Sequence, residues 1–206
     1  MKAWQVVTHP HHSPTWRRLR IKPPGRLENY GFLRPTEENL QAWRMVKSFA
    51  EKLGARVVVL QTPPSFGYSR ENDVQVKQFF STIERGPFYI GWEPRGTWYE
   101  HLEAVEEIVC KHNVIHIVDP LRRRPVICPG QQILYFRLHG LGGREVNYRY
   151  RYSDEDLEKL VELLDGYTRS GHVGEVYVMF NNVYMGSDAG RFKKLAGEKL
   201  TGCEVL

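Results

Sequence analysis

The sequence predicts an α/β fold, and three observations carry the prediction. Short apolar segments rich in valine, isoleucine and aromatic residues alternate with longer segments whose apolar residues recur at helical spacing. The intervals between them are long enough for the crossovers that parallel strands require. Each strand candidate also ends on polar side chains that pass into a loop. Six strands are expected on this pattern. Polar residues gathered where strands end mark the active face of (β/α) barrels and equally of open doubly wound sheets, so the alternation alone leaves those two architectures open.

The first strand is expected over residues 1–9, where Val6 and Val7 are apolar and Thr8 and His9 close the segment. Pro10 and Pro14 then prevent regular pairing, which leaves His11 and His12 on a loop. Histidines on an irregular loop fix no metal geometry, and only His9, at the strand end, is kept as a site candidate. Thr36 followed by Glu37 and Glu38 reads as a helix start, with a hydroxyl cap and early acids suited to the positive end of the helix dipole. Leu40, Trp43, Val46, Phe49, Ala50 and Leu53 form its expected inward stripe, and Gly54 stops it.

The strand over residues 56–61 ends on Gln61, which serves either a ligand or its own loop. A helix over 71–85 should turn Val74, Phe79, Phe80 and Ile83 inward before Gly86 and Pro87 end it. The next strand, 88–93, delivers Glu93, with Arg95 two residues on. A carboxylate beside an arginine is a proton-transfer pair or a salt bridge that shapes the loop. After a helix over 101–111, the strand 114–119 carries His116 among apolar neighbours and ends on Asp119.

The apolar run that starts at Ile133 ends in Arg137, His139 and Gly140, delivering two polar side chains into a glycine-rich loop. Ser153 caps a helix through Leu157, Leu160, Leu163 and Leu164, which Gly171 and Gly174 should close. The last strand, 175–180, delivers Asn181 and Asn182, and a final helix covers 188–200. Each asparagine amide offers a donor and an acceptor to a hydroxylated or carbonyl-bearing ligand.

The 206 residues suffice for one well-filled core, so a single domain over 1–206 is expected. No apolar run approaches bilayer length, which points to a cytoplasmic protein with no membrane partner. Cys110, Cys128 and Cys203 are odd in number and lack a Cys-x-x-Cys pair, so reduced thiols are the expectation. The net charge of +5 is concentrated in Arg17, Arg18, Arg20 and Lys22 and in Arg122, Arg123 and Arg124. Such runs meet phosphates or simply solvate a loop. The glycine signatures of dinucleotide-binding and P-loop proteins do not occur, nor do the nucleophile-elbow and zincin motifs.

Six ordered stretches closely resemble the YecE-like family, domain of unknown function 72. They are Ala3-Trp-Gln-Val-Val-Thr-His9, Leu60-Gln-Thr-Pro-Pro-Ser-Phe66, Glu93-Pro-Arg-Gly-Thr-Trp98, Tyr135-Phe-Arg-Leu-His-Gly140, Tyr150-Arg-Tyr-Ser-Asp154, and Phe180-Asn-Asn182 with Asp188-Ala189. The resemblance implies a TIM-like (β/α) barrel with its pocket at the carboxyl ends of the strands, and it supplies no reaction. Members of the family carry two further strands ahead of the Thr-His strand. The resemblance therefore implies an incomplete barrel here, whose unpaired edges would drive self-association or recruit a partner chain.

Chemistry assigns roles within such a pocket. Arg137 would hold an anionic group through its planar fork, while His139 and Glu93 are the acid and base candidates. His9, Gln61, Arg95, Asp119, Asn181 and Asn182 are the expected substrate-binding residues. The expected activity is hydrolytic or lyase-type, on a phosphorylated, carbohydrate-like or nucleic-acid substrate; the alternative is a non-catalytic binding or scaffold protein, or a truncated relative without activity. No cofactor is expected, because a divalent metal held by His9, Glu93, Asp119 and His139 would lack the short ligand spacing of most metal motifs.

Overall fold

The computed structural model describes residues 1–143, 145–169, 173–202 and 204–206. Gly171 and Cys203, which figure in the expectations above, lie outside the described residues. The chain forms two compact units, Met1–His116 and Ile117–Leu206.

The first unit is built on a parallel sheet of order β1-β2-β3, where β1 is Val57–Gln61, β2 Tyr89–Glu93 and β3 Ile115–His116. The run Val57-Val-Val-Leu60 is buried throughout, and such a run suits a parallel strand covered on both faces. Val57 lies opposite Tyr89 and Gln61 opposite Glu93, so β1 and β2 end level with each other. Helices α2 (Glu37–Lys52), α3 (Arg70–Thr82) and α4 (Leu102–Lys111) accompany the sheet.

Residues 1–9 correct the expectation of a first strand. Lys2 makes one parallel bridge to Val59, the Ala3 amide donates to the Val59 carbonyl at 2.9 Å, and the chain then coils into the short helix α1, Gln5–Thr8. Val6 and Val7 are both fully buried from this single turn. In a strand they would face opposite sides, so packing overrides their intrinsic β preference. Five strands therefore form among the described residues, three in one sheet and two in another, rather than six.

Two helical faces also differ from expectation. In α2 the buried side chains are Asn39, Ala42, Trp43, Val46 and Ala50, whereas Phe49 and Leu53 are exposed. At 100° per residue the stripe 39, 43, 46, 50 is continuous, and positions 49 and 53 fall on its flank. The Thr36 hydroxyl does not cap this helix but donates to the Asn29 carbonyl at 2.6 Å. In α3 Val76 is buried with Phe79 and Phe80, the i, i+3, i+4 set, and Val74 is turned outward.

The second unit pairs β4 (Ile133–Leu138) in parallel with β5 (Glu175–Phe180), Leu138 facing Phe180, and Val118 bridges to Phe136. Helices α5 (Asp154–Thr168) and α6 (Met185–Lys199) complete it. Leu134, Phe136 and Leu138 from β4 are buried in one cluster with Leu157, Leu160, Leu164 and Phe192 from the helices. The expected start of α5 is present as a reciprocal capping box: the Ser153 hydroxyl accepts from the Asp156 amide at 3.1 Å, and the Asp156 carboxylate accepts from the Ser153 amide at 2.8 Å. Cys110 and Cys128 are each disulfide-bonded, which corrects the expectation of reduced thiols at those two positions. Spacing along a chain does not limit which sulfurs a fold brings into bonding range. Among the described residues no helix is long and apolar enough to cross a membrane.

Candidate active site

In the first unit the level ends of β1 and β2 place Gln61 beside Glu93. Glu93 is 2% exposed, and its Oε1 accepts both the Arg95 Nε–H at 3.0 Å and an Arg95 Nη2–H at 2.6 Å. Two charge-assisted bonds converging on one oxygen offset the desolvation of this buried pair. Gln61 Oε1 accepts from the Lys2 ammonium at 3.0 Å. His9 follows α1 instead of ending a strand, and its Nδ1 lies 2.8 Å from the Thr8 hydroxyl. Burial pushes the His9 imidazole down to about 4, with the charges of Lys2 and Arg95 adding to the effect. His116, on β3, is also pushed down to about 4 by burial, against the opposing pull of Glu93. Both rings are therefore neutral at pH 7.

In the second unit the residues after Val118 and β4 are joined through Asp119. Its Oδ2 accepts the His139 amide and its Oδ1 the Leu121 amide, each at 3.1 Å, and the Arg122 Nε lies 3.8 Å from Oδ2. Burial raises the Asp119 pKa even though the two amides and Arg122 oppose it. Arg122 also donates to the Gly140 carbonyl through Nε at 2.9 Å and through Nη2. The Gly140 amide donates to the Tyr152 hydroxyl at 2.7 Å. Burial first, then the Asp119 charge, raises the pKa of Tyr152. Gly140 has φ +79°, and a Cβ there would meet the Asn147 carbonyl oxygen at 2.1 Å. The turn that follows His139 therefore requires glycine.

Strand periodicity sorts the remaining candidates. Phe136 and Leu138 face the helices, so Tyr135, Arg137 and His139 share the other face of the sheet. The Asn181 amide continues the ladder by donating to the Leu138 carbonyl at 2.8 Å, and Asn181 Nδ2 lies 3.0 Å from His139 Nδ1. Asn182 turns the other way. Its Nδ2 donates to the Tyr150 carbonyl at 2.8 Å and to Asp188 Oδ2 at 2.7 Å, and the two acceptors fix the orientation of the amide. Asp188, fully buried, accepts further from Arg191 Nη1 at 3.3 Å.

His9, Gln61, Glu93 and Arg95 thus belong to the first unit, and Asp119, Arg137, His139, Asn181 and Asn182 to the second. Arg122, Tyr152 and Asp188 were not singled out for the site from the sequence. Arg122 was visible there only as one of three arginines in a basic run, and nothing separates it from Arg123 and Arg124 until its partners are known. A cavity of about 370 Å³ in the second unit, lined by Ile127, Cys128, Gln131, Tyr167 and Val173 among others, contains none of the candidate residues. Among the described residues no group of three or more His, Cys, Asp or Glu side chains is arranged to hold a metal ion.

Residues 1–202 match the family described as Protein of unknown function DUF72. The chain belongs to the DUF72 family. Its fold is similar to that of a DUF72 family protein from Thermotoga maritima, with a TM-score of 0.64 and 23% identity over 95% of this chain and 72% of that one. Two structures of a DUF72 family protein from Enterococcus faecalis are also similar. One has a TM-score of 0.59 and 20% identity over 78% of this chain and 69% of that one. The other has a TM-score of 0.57 and 19% identity over 84% of this chain and 70% of that one. At these identities the likeness is one of fold. No curated protein matches the chain. Within this DUF72 chain, the Arg-Leu-His-Gly and Asn-Asn stretches that carried the resemblance lie side by side at the carboxyl ends of β4 and β5.

Proposed function

We propose that this DUF72 protein is an enzyme that uses His139 as its acid–base residue on a phosphate-bearing substrate at the carboxyl ends of β4 and β5. The contact of 3.0 Å between Asn181 Nδ2 and His139 Nδ1 carries the reading. With the amide nitrogen donating, Nδ1 accepts and the proton of the neutral ring stays on Nε2. The step asked of His139 belongs to hydrolysis: water attacks phosphorus, the P–O bond to the ester oxygen breaks, and the ring hands its Nε2 proton to that oxygen while regaining the proton the attacking water loses. Asp119 supports the step by holding the His139 amide, which fixes the backbone beneath the ring. Arg137, two residues earlier on the same face, brings a permanent positive charge to an anionic group. The same reading takes the parallel strands as staves of a TIM-like (β/α) barrel, supported by the likeness to solved DUF72 structures and by the polar residues at the strand ends.

Chromogenic phosphate esters test the proposal. Wild-type protein should release p-nitrophenol from p-nitrophenyl phosphate or its diester, and His139→Gln should lower the rate by about 100-fold or more. Absence of turnover on both esters, or wild-type rates in His139→Gln, would overturn the reading.

A further inference from the structure

We propose that Tyr148, Arg149, Arg151 and Tyr184 form a docking strip for single-stranded nucleic acid beside His139. The proposal deepens the preceding one, since it names the polymer whose phosphates that site would handle, but it stands on a separate set of exposed side chains. Its starting point is the alternation Tyr-Arg-Tyr-Arg-Tyr over residues 148–152, which begins in a turn that the Tyr150 amide closes on the Asn147 carbonyl at 3.0 Å.

The last two tyrosines are anchors. Tyr152 is buried and its hydroxyl accepts the Gly140 amide. Tyr150 donates its hydroxyl to Asp156 Oδ2 at 2.6 Å, and that bond, with burial, pushes its pKa up to about 12. Arg149 and Arg151, between and beside these anchors, are exposed. Among the described residues neither is tied up in an ion pair. The residues after β5 pin the segment from the other side. The Val183 amide donates to the Tyr148 carbonyl at 2.7 Å, and Asn182 Nδ2 donates to the Tyr150 carbonyl at 2.8 Å. The same connection carries Tyr184, 42% exposed, with the Arg151 guanidinium 5.8 Å over its ring. Tyr148 is 49% exposed, and its ring centroid lies 6.4 Å from that of His139.

Two half-exposed rings and two guanidinium groups that make no ion pair among the described residues are therefore held by the 148–152 segment and the connection after β5, beside the candidate site. Bases stack on aromatic rings whatever their sequence, and guanidinium forks bind the intervening phosphates. A neutral sugar would use the rings but leave both positive charges unanswered. A small phosphate metabolite would use the charges and leave the rings idle. A single strand uses both, and the net charge of +5 favours its approach.

The test is fluorescence anisotropy of the full chain with fluorescein-labelled oligothymidylate and oligouridylate of about twelve nucleotides, within the usual site size for such strands. The wild type should bind at least one of them. Tyr148→Ala and Tyr184→Ala should each weaken binding about tenfold, while Tyr148→Phe keeps it. Arg149→Gln with Arg151→Gln should lower the slope of log affinity against log salt by about 1.4, the share of two phosphate contacts. Melting curves equal to wild type confirm that these surface variants fold. His139→Gln should bind like the wild type, so loss of turnover without loss of binding separates this proposal from the preceding one. Failure to bind either oligonucleotide, affinities unchanged across the variants, or displacement of the probe by neutral maltohexaose would overturn it.

Discussion

The two units solve the same problem in different ways. Each buries a carboxylate at the end of a strand-like segment: Glu93 closes β2 in the first, and Asp119 follows the Val118 bridge in the second. Glu93 is clamped by a guanidinium that gives two hydrogen bonds to one oxygen. Asp119 receives two backbone amides and only a long contact from Arg122, and its proton affinity rises. The difference lies in what each arrangement permits. A full counter-charge fixes a carboxylate in its anionic form, whereas backbone dipoles hold it in place yet leave its charge state responsive to the surroundings.

Removing the clamp should have the largest effect. Arg95→Ala removes the guanidinium that gives Glu93 two hydrogen bonds and should cost about 3–5 kcal/mol by denaturant unfolding. Converting Glu93 to Gln in that background should recover part of the loss, since the buried side chain is then uncharged. Asp119→Asn should be milder. One of the two amides it accepts would meet a side-chain N–H instead of an oxygen, a loss of about 1–3 kcal/mol. The same substitution sharpens the comparison through pH. Because the folded-state pKa of Asp119 is raised, its ionisation weakens folding as pH rises from the ordinary carboxylate value through the raised one. That component of the stability profile should vanish in Asp119→Asn and persist in Arg95→Ala.

The histidines of the first unit give the opposite dependence. His9 and His116 are lowered from 6.5 to about 4, so the unfolded chain takes up their protons first. The stability they permit is complete above about pH 6.5 and is lost as pH falls toward 4. The melting temperature should decline over that interval, and His9→Gln should reduce the decline. An unchanged slope in that variant would show that His9 is not held neutral by its surroundings.

Much of the architecture was legible because period-2 and period-3.6 patterns report burial directly. The parallel strands β1, β2, β4 and β5, the Ser153 cap and the delivery of Glu93, His139 and Asn181 at strand ends all follow from residue order. What was not legible depended on tertiary packing. Val6 and Val7 read as strand but fill the core from one helical turn. Phe49 and Leu53 fit a helical stripe on paper yet sit outside the arc that α2 buries. Asn181 and Asn182 look equivalent in sequence, but the strand turns one toward His139 and the other toward Asp188. Arg122 stands out from its basic neighbours only once Asp119 and the Gly140 carbonyl are seen beside it.

The central claim is that Asn181 sets the tautomer of His139. Long-range proton–nitrogen NMR correlations of the imidazole test it most directly, with His139→Gln used to assign the ring. The account predicts a proton on Nε2 in the wild type and its transfer to Nδ1 in Asn181→Asp, where a carboxylate replaces the donating amide. A wild-type ring protonated on Nδ1, or a tautomer indifferent to Asn181→Asp, would contradict it.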